Sequence, residues 1–275
     1  MDLLTIILIA IIALAAGTLG NLAGFGGGII IIPLIFLFFD YPLAIVVGSA
    51  LFALIFPSAI GAIGAWRRNE INYKFAALFE VPTVIGTYIG ARLTTAIPER
   101  VLQLIFGLFA LMLTFNLRKY ASAKNNPNHS PNEFWRRIAA IPPVIEFKDK
   151  FDTYQGSVPA IIGGGFIIGI FAGMLGVGGG WLKTPFMILG IGISPPIATG
   201  TALFMIVITA LVGGLTHFGA GDFDFGLFLT LSIALSVGAL IAQKLKPKIN
   251  NQQLVNVISV TTLIVAIMMI TNAFL

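Results

Sequence analysis

Apolar residues in this chain do not alternate with polar ones at a helical or strand period; they run on. Ten stretches are almost free of polar side chains: roughly 3–20, 28–39, 43–65, 74–95, 101–117, 157–176, 180–190, 196–218, 225–245 and 253–274. Eight of them have the roughly 17–25 residues that cross a bilayer as a helix. The second and seventh are short. Eleven or twelve helical residues reach only about 17–18 Å, against a hydrocarbon core of about 30 Å. These two are expected to be half-helices or steeply placed short spans. Their ends would then lie at membrane depth, where non-helical backbone survives only if buried in protein or lining a cavity.

Both short stretches open on a run of glycines. Gly24-Phe25-Gly26-Gly27-Gly28 precedes one, with Pro33 inside it; Gly176-Val177-Gly178-Gly179-Gly180 precedes the other, with Pro185 inside it. The two patterns lie 152 residues apart, and the same shift pairs Gly48 with Gly200, Ala50-Leu51-Phe52 with Ala202-Leu203-Phe204, Gly61 with Gly213 and Gly86 with Gly238. A register held over some ninety residues without a gap indicates an internal duplication. The expected division is an N-terminal membrane repeat at 1–117, a cytoplasmic linker at 118–156 and a C-terminal membrane repeat at 157–275. Within the linker, Asn125 to Pro131 reads as a solvated turn and Phe134-Trp135-Arg136-Arg137-Ile138 as a short amphipathic piece at the interface.

Composition agrees with this pattern. The 275 residues are 57% hydrophobic and 10% charged, where soluble domains carry about 25% charged residues. Mean hydropathy is +0.99. Without cysteine, disulfides, thiol catalysis and Cys-ligated metal drop out. Residues 3–19 have Asp2 before them rather than a basic region and belong to the repeat, so they are expected to be mature structure and not a signal peptide. The net charge of +5 concerns loop orientation, not nucleic acid. Arg67, Arg68 and Lys74 follow the third stretch, Lys244, Lys246 and Lys248 the ninth, and the linker is basic; Asp222 and Asp224 follow the eighth. Cytoplasmic loops collect Lys and Arg. Five crossings per half, with both termini outside, satisfy all four loops; Arg92 and Arg100 are the discord. An odd number of crossings inverts the second repeat, the architecture of secondary transporters.

Candidate chemistry follows from the glycines. A helix that opens at Gly28 or Gly180 presents unpaired N–H groups and a positive dipole end, an anion site without a basic side chain. Gly24, Gly26, Gly27 and Gly28, with Gly176, Gly178, Gly179 and Gly180, are therefore candidate substrate-binding residues; tight helix packing is the other use of such glycines. Ser49 and Thr201 occupy matching places in Val47-Gly48-Ser49 and Thr199-Gly200-Thr201. Their hydroxyls could bond an oxyanion or their own helix. Asn21, just before the first glycine run, caps or binds. Lys183 stands where the first half has Ile31, either as counter-charge to an anion or snorkelling to the interface. Glu80, matched by Ser232, is a candidate proton carrier for coupling, with a salt bridge to a neighbouring helix as the alternative. His217 and His129 read as an interfacial and a loop histidine, and Arg92 as an anchor at a helix end. No cofactor, metal cluster or enzyme constellation is expected.

With its doubled glycine motif, the Gly173-Met174-Leu175 lead-in to the second copy, Pro33, Pro185 and Thr199-Gly200-Thr201-Ala202-Leu203, the chain resembles the TauE/SafE family of membrane permeases, described as sulfite exporters. The resemblance covers nearly everything outside 118–156. It implies secondary transport of small sulfur-containing anions such as sulfite, sulfonates or sulfoacetate, often as export. A passive anion channel, and more remotely a membrane enzyme or assembly factor, are the alternatives. The expected partners are a small anionic substrate and the lipid bilayer of the cell (inner) membrane, with a homo-oligomer left open.

Overall fold

The computed structural model describes residues 2–125, 137–138, 140–246 and 251–275. Helix α1 (Leu3–Ala23) begins where the Asp2 carboxylate accepts the Thr5 N–H. Then come α2 (Gly28–Phe38), α3 (Leu43–Ala53), α4 (Ile55–Arg67), α5 (Tyr73–Ala96) and α6 (Glu99–Asn125). A hairpin of β1 (Val144–Lys148) and β2 (Thr153–Ser157) leads into α7 (Val158–Leu175). Helix α8 (Gly180–Pro185) continues as a π-helical turn, Phe186–Ile191, and α9 (Pro195–Ala220), α10 (Phe225–Leu245) and α11 (Asn251–Phe274) complete the chain.

Among the described residues, six segments are long and apolar enough to cross a membrane: α1, the α3–α4 pair, α7, α9, α10 and the Asn256–Phe274 part of α11. The chain is an all-α polytopic membrane protein. Two of the eight full-length stretches expected from hydropathy, α5 and α6, are not in that set; α5 carries Lys74, Glu80 and Arg92 along its 24 residues. The expected third stretch is broken at Leu54 into α3 and α4, while its counterpart α9 runs unbroken. Pro57 explains the difference: its ring crowds the carbonyl four residues back and removes an N–H, and α9 has Thr209 in that place.

The 152-residue register reappears in the elements. Gly28 and Gly180, Leu43 and Pro195, Tyr73 and Phe225, Glu99 and Asn251 each begin a helix, and each pair is 152 residues apart. Contacts between the halves come in reciprocal pairs. Helix α1 lies along α10, and α5 along α7. Glycines set the closeness: a Cβ on Gly17 would sit 2.6 Å from the Leu235 carbonyl oxygen, and one on Gly165 2.6 Å from that of Phe79. Gly86 meets Phe166 as Gly238 meets Leu14. Small residues let helix backbones approach in a membrane, where van der Waals packing rather than water exclusion holds them.

The hairpin was not expected within the linker at 118–156, and α6 also runs eight residues beyond 117. Val144 pairs with Ser157 and Lys148 with Thr153, closed by Asp149, whose carboxylate accepts the N–H groups of Phe151 and Asp152. Buried Phe147 packs edge-on to Phe75, and Lys74 and Lys150 donate to the carbonyls of Glu146 and Arg68. The hairpin thus covers the turn between α4 and α5. Tyr154 accepts the Ser194 N–H at the start of α9, and burial pushes its phenol up. Of the expected amphipathic piece, Phe134 to Arg136 lie outside the described residues.

Candidate functional site

The two glycine runs meet. A Cβ on Gly28 would lie 2.9 Å from the Val177 Cα, and one on Gly180 3.2 Å from the Phe25 Cα and 2.8 Å from the Gly24 carbonyl oxygen. All the candidate glycines are buried. The backbone copies itself across the repeat: Gly24, Gly26 and Gly27 have φ of 82°, 79° and 98°, and Gly176, Gly178 and Gly179 have 73°, 66° and 75°. This left-handed conformation is open to glycine at little cost, so the sequence of the motif is a backbone requirement. It ends α1 and α7 and turns the chain into α2 and α8, whose N-termini carry no side-chain cap. Some of the N–H groups expected to face a ligand are already taken: Phe25 and Gly26 donate to the Gly20 carbonyl, Gly24 to Asn21, and Gly176 to Ala172.

Around the first run, polar groups are buried without partners. Asn21 is 5% exposed, Ser58 0% and Thr199 1%; Asn21 Oδ1, Ser58 Oγ and Thr199 Oγ1 have no hydrogen-bond partner. Thr199 packs against Gly24, and Ser58 Oγ would be 3.5 Å from a Cβ on Gly26. Leaving such a group unpaired costs about 1–3 kcal/mol. Asn21 also lines a small open cleft of about 10 Å³, about the room one water needs, together with Gly61, Arg68, Leu203, Gln243 and Lys246.

Around the second run, charges close on each other. Lys183 Nζ donates to Glu80 Oε2 at 2.8 Å and to Thr209 Oγ1 at 2.5 Å, and Thr209 in turn donates to the other Glu80 oxygen. Lys183 is fully buried and Glu80 nearly so. A membrane-embedded cation survives when paired, and this one is paired within the protein; neither snorkelling nor an unshared counter-charge describes it. Thr184 donates to the Gly24 carbonyl at 3.3 Å, tying this side to the first run.

Ser49 and Thr201 have structural partners. Ser49 Oγ accepts the Asp224 N–H and Thr201 Oγ1 the Asn72 N–H, both at 2.9 Å. Asp224 and Asn72 are the N-caps of α10 and α5, so the two hydroxyls hold matching helix starts. Asn21 donates its amide to the Gly17 carbonyl and keeps its oxygen. His217, expected at an interface, is fully buried, with Nε2 3.1 Å from the Gly173 carbonyl oxygen and Nδ1 3.4 Å from Asp222. Sequence reasoning passed over Ser58, Thr199 and Thr209 as site residues. One signal marks all three: each differs in character from its repeat partner, Ala210, Val47 and Pro57 respectively. Among the described residues no cluster of three His, Cys, Asp or Glu could hold a metal.

Long apolar helices around two buried backbone breaks, with unpaired polar groups beside one of them, define the class as a polytopic membrane protein. The family model described as Sulfite exporter TauE/SafE matches residues 9–269, and the chain belongs to that family. It is similar to the probable membrane transporter protein YunE of Bacillus subtilis, 27% identical over 258 residues and 90% of each chain. It is also similar to the probable membrane transporter protein MJ0441 of Methanocaldococcus jannaschii, 23% identical over 265 residues and again 90% of each. No solved structure matches significantly.

Proposed function

We propose that the protein is a secondary carrier of small sulfur-containing anions, of sulfite, sulfonate or sulfoacetate type, working by alternating access in the plasma membrane. The observation that carries this reading is the meeting of the two glycine runs, each at the uncapped start of a short buried helix. Two such ends at one place bring together the positive ends of two sets of backbone dipoles. Residues 1–117 and 157–275 are the two moving bodies, and 118–156 connects them. Inverted orientation of the bodies is supported by how charge sorts: Arg68, Lys74, Lys150 and Lys246 gather at the hairpin end, whereas Asp224 stands at the start of α10.

Glu80 is the proposed site of proton coupling, with Lys183 and Thr209 as its partners. Protonating Glu80 removes the charge that holds Lys183, and the freed cation can answer to a substrate anion instead. The family's transporters and the relatives named above support this reading over a catalytic one. The test is uptake into proteoliposomes. Preloading the lumen with sulfite or an organosulfonate should accelerate counterflow; uptake without trans-stimulation identifies a passive pore, and no flux under any gradient overturns the proposal. Glu80→Gln should flatten the pH dependence of transport.

A further inference from the structure

The turns that lead into α5 and α10 are one turn made twice, and an acid sits in each. Glu70 and Asp222 are 152 residues apart. The Glu70 N–H donates to the Ala65 carbonyl at 2.9 Å, and the Asp222 N–H to the His217 carbonyl at 3.0 Å. Each turn lies on a bare glycine of the other half. A Cβ on Gly200 would collide with the Glu70 carbonyl oxygen; one on Gly48 would collide with that of Asp222 and lie 2.7 Å from the His217 Cβ. What differs is the partner of the acid. Glu70 Oε2 lies 2.8 Å from Arg68 Nε, and a guanidinium is always charged. Asp222 Oδ2 lies 3.4 Å from His217 Nδ1, and an imidazole changes its charge between about pH 5 and 8. Among the described residues no other basic side chain is within ion-pair reach of Asp222.

The other ring nitrogen settles how many protons the pair needs. His217 Nε2 is 3.1 Å from the Gly173 carbonyl oxygen, which can only accept, so Nε2 carries a hydrogen. On a neutral ring Nδ1 would then turn its lone pair toward the Asp222 carboxylate. One further proton makes that contact a hydrogen bond, and the imidazole, the stronger base of the two, takes it. The Asp222 side chain is 15% exposed, so the proton reaches the pair from water without crossing the bundle. Other charges are engaged elsewhere. Helices α3 and α7, which close on the ring, carry no ionisable side chain. On α5 and α8, Glu80 and Lys183 are bonded to each other and to Thr209, about two turns back along α9. Arg92 lies over the Tyr88 ring, and Lys74 and the basic ends of α4 and α10 belong to the hairpin end. Asp224 caps α10. Tyr41 stays neutral, its phenol pushed up by burial and then by Asp224.

We infer that His217 and Asp222 form a proton-binding site that, when loaded, locks the turn between α9 and α10 onto α7 and onto the first half, at the end away from the hairpin. Ser49 of the first half accepts the Asp224 N–H from this turn, so a loosened turn loosens the contact between the halves. The matching turn, held by Arg68, has no such switch. That the lock faces outside rests on the orientation proposed above; the proton site does not.

The test is the melting temperature of the purified full-length protein in detergent from about pH 5 to about pH 8. Folding gives the extra proton a partner that the unfolded chain lacks, so the stabilisation is present at the acidic end and lost as pH rises. Across that interval the wild type should lose about 2–4 °C relative to both His217→Gln and Asp222→Asn. Arg68→Gln, at the matching turn, should lower the curve without changing its slope. In His129→Gln, His217 is the sole histidine, and its ring-nitrogen NMR shifts read the proton directly. Nε2 should stay protonated throughout, and Nδ1 should give up its proton as the melting temperature falls. A wild-type curve parallel to those of the variants, or a ring whose bare nitrogen is Nε2, overturns the inference. If His217→Gln does not fold, Asp222→Asn and the NMR titration decide it. Neither measurement needs flux: absence of transport with the pH step intact would sink the carrier reading alone, and transport without the step would sink only the lock.

Discussion

Around Gly24–Gly28 the side chains of Asn21, Ser58 and Thr199 end in buried atoms with nothing to bond. Around Gly176–Gly180 the equivalent positions are Gly173, Ala210 and Val47, and the polar content is instead Lys183, Glu80 and Thr209, bonded to one another. The backbones are nearly superposable in φ, so the duplication has kept the scaffold and divided the chemistry. The same contrast extends outward. Arg68, Gln243 and Lys246, which line the cleft, correspond to Ala220, Ala91 and Thr94. Thr94 donates to the Met174 carbonyl and His217 stands against Gly173, so the mirror position is filled. Beside Asn21 a small cleft stays open; its mirror position is packed. The two runs therefore differ in their surroundings: one has buried polar atoms without partners, the other has its polar groups bonded to one another.

The strongest way to break the comparison is to disturb the satisfied half. Lys183→Met or Glu80→Gln alone leaves its former partner buried and unanswered, and removing one member of a buried pair costs about 3–5 kcal/mol. Each should sharply lower the temperature of unfolding in detergent. The double substitution should recover much of the loss, since replacing both members with neutral groups is often close to neutral. Recovery would show that the pair contributes function rather than stability. A double variant as unstable as the singles would contradict the closed-pair account.

A smaller effect is expected at the crossing. Gly28→Ala and Gly180→Ala put a methyl into facing backbones, against the Val177 Cα and the Gly24 carbonyl. Overpacking of this kind costs about 1–3 kcal/mol. Because the contacts are reciprocal, the two losses should be similar, and a melting curve for each variant checks it. A large loss at one and none at the other would mean that the runs do not touch as pairs.

Much of this was legible in the residues. The starts of α2, α8 and α10 follow from where glycine or acid ends an apolar run, and the 152-residue register predicted which helices would correspond. What stayed hidden was pairing across the halves. Glu80 and Lys183 each stand out as a charge with no repeat partner, but they are 103 residues apart, and only the packing of α5 and α9 around α8 brings them together. The free atoms of Ser58 and Thr199 were hidden for the opposite reason: a hydroxyl in a membrane helix usually bonds back to its own carbonyls, and nothing local says which ones do not. The hairpin was masked by its surroundings. Ile145, Phe147 and Tyr154 alternate as strands do, but they sit beside an Asn- and Pro-rich stretch that reads as linker.

Access sharpens the contrast. The chain has no cysteine, so a single introduced thiol reports alone. Leu203, itself only 3% exposed, borders the cleft, and Leu51 is its fully buried counterpart. In inside-out vesicles Leu203→Cys should react with a charged maleimide and Leu51→Cys should not. Transport conditions that populate the opposite state should reverse the order. Equal labelling of the two in both vesicle orientations would remove the one-sided entrance.

The smallest effect on folding, and the most informative about function, is expected from Ser58→Ala and Thr199→Val. Each removes an unpaired buried hydroxyl and keeps most of the volume, so each relieves a desolvation cost and should leave stability unchanged or raise it by about 1–3 kcal/mol. A residue kept for packing would behave otherwise: its loss would lower the melting temperature. If these hydroxyls instead wait for a ligand beside Gly24 and Gly26, the same variants should bind anions more weakly while melting no lower. The opposite signs separate the two uses. The matched substitutions on the other face, Ala210→Ser and Val47→Thr, complete the argument, because they add a hydroxyl where the structure offers no ligand space and should destabilise without improving binding.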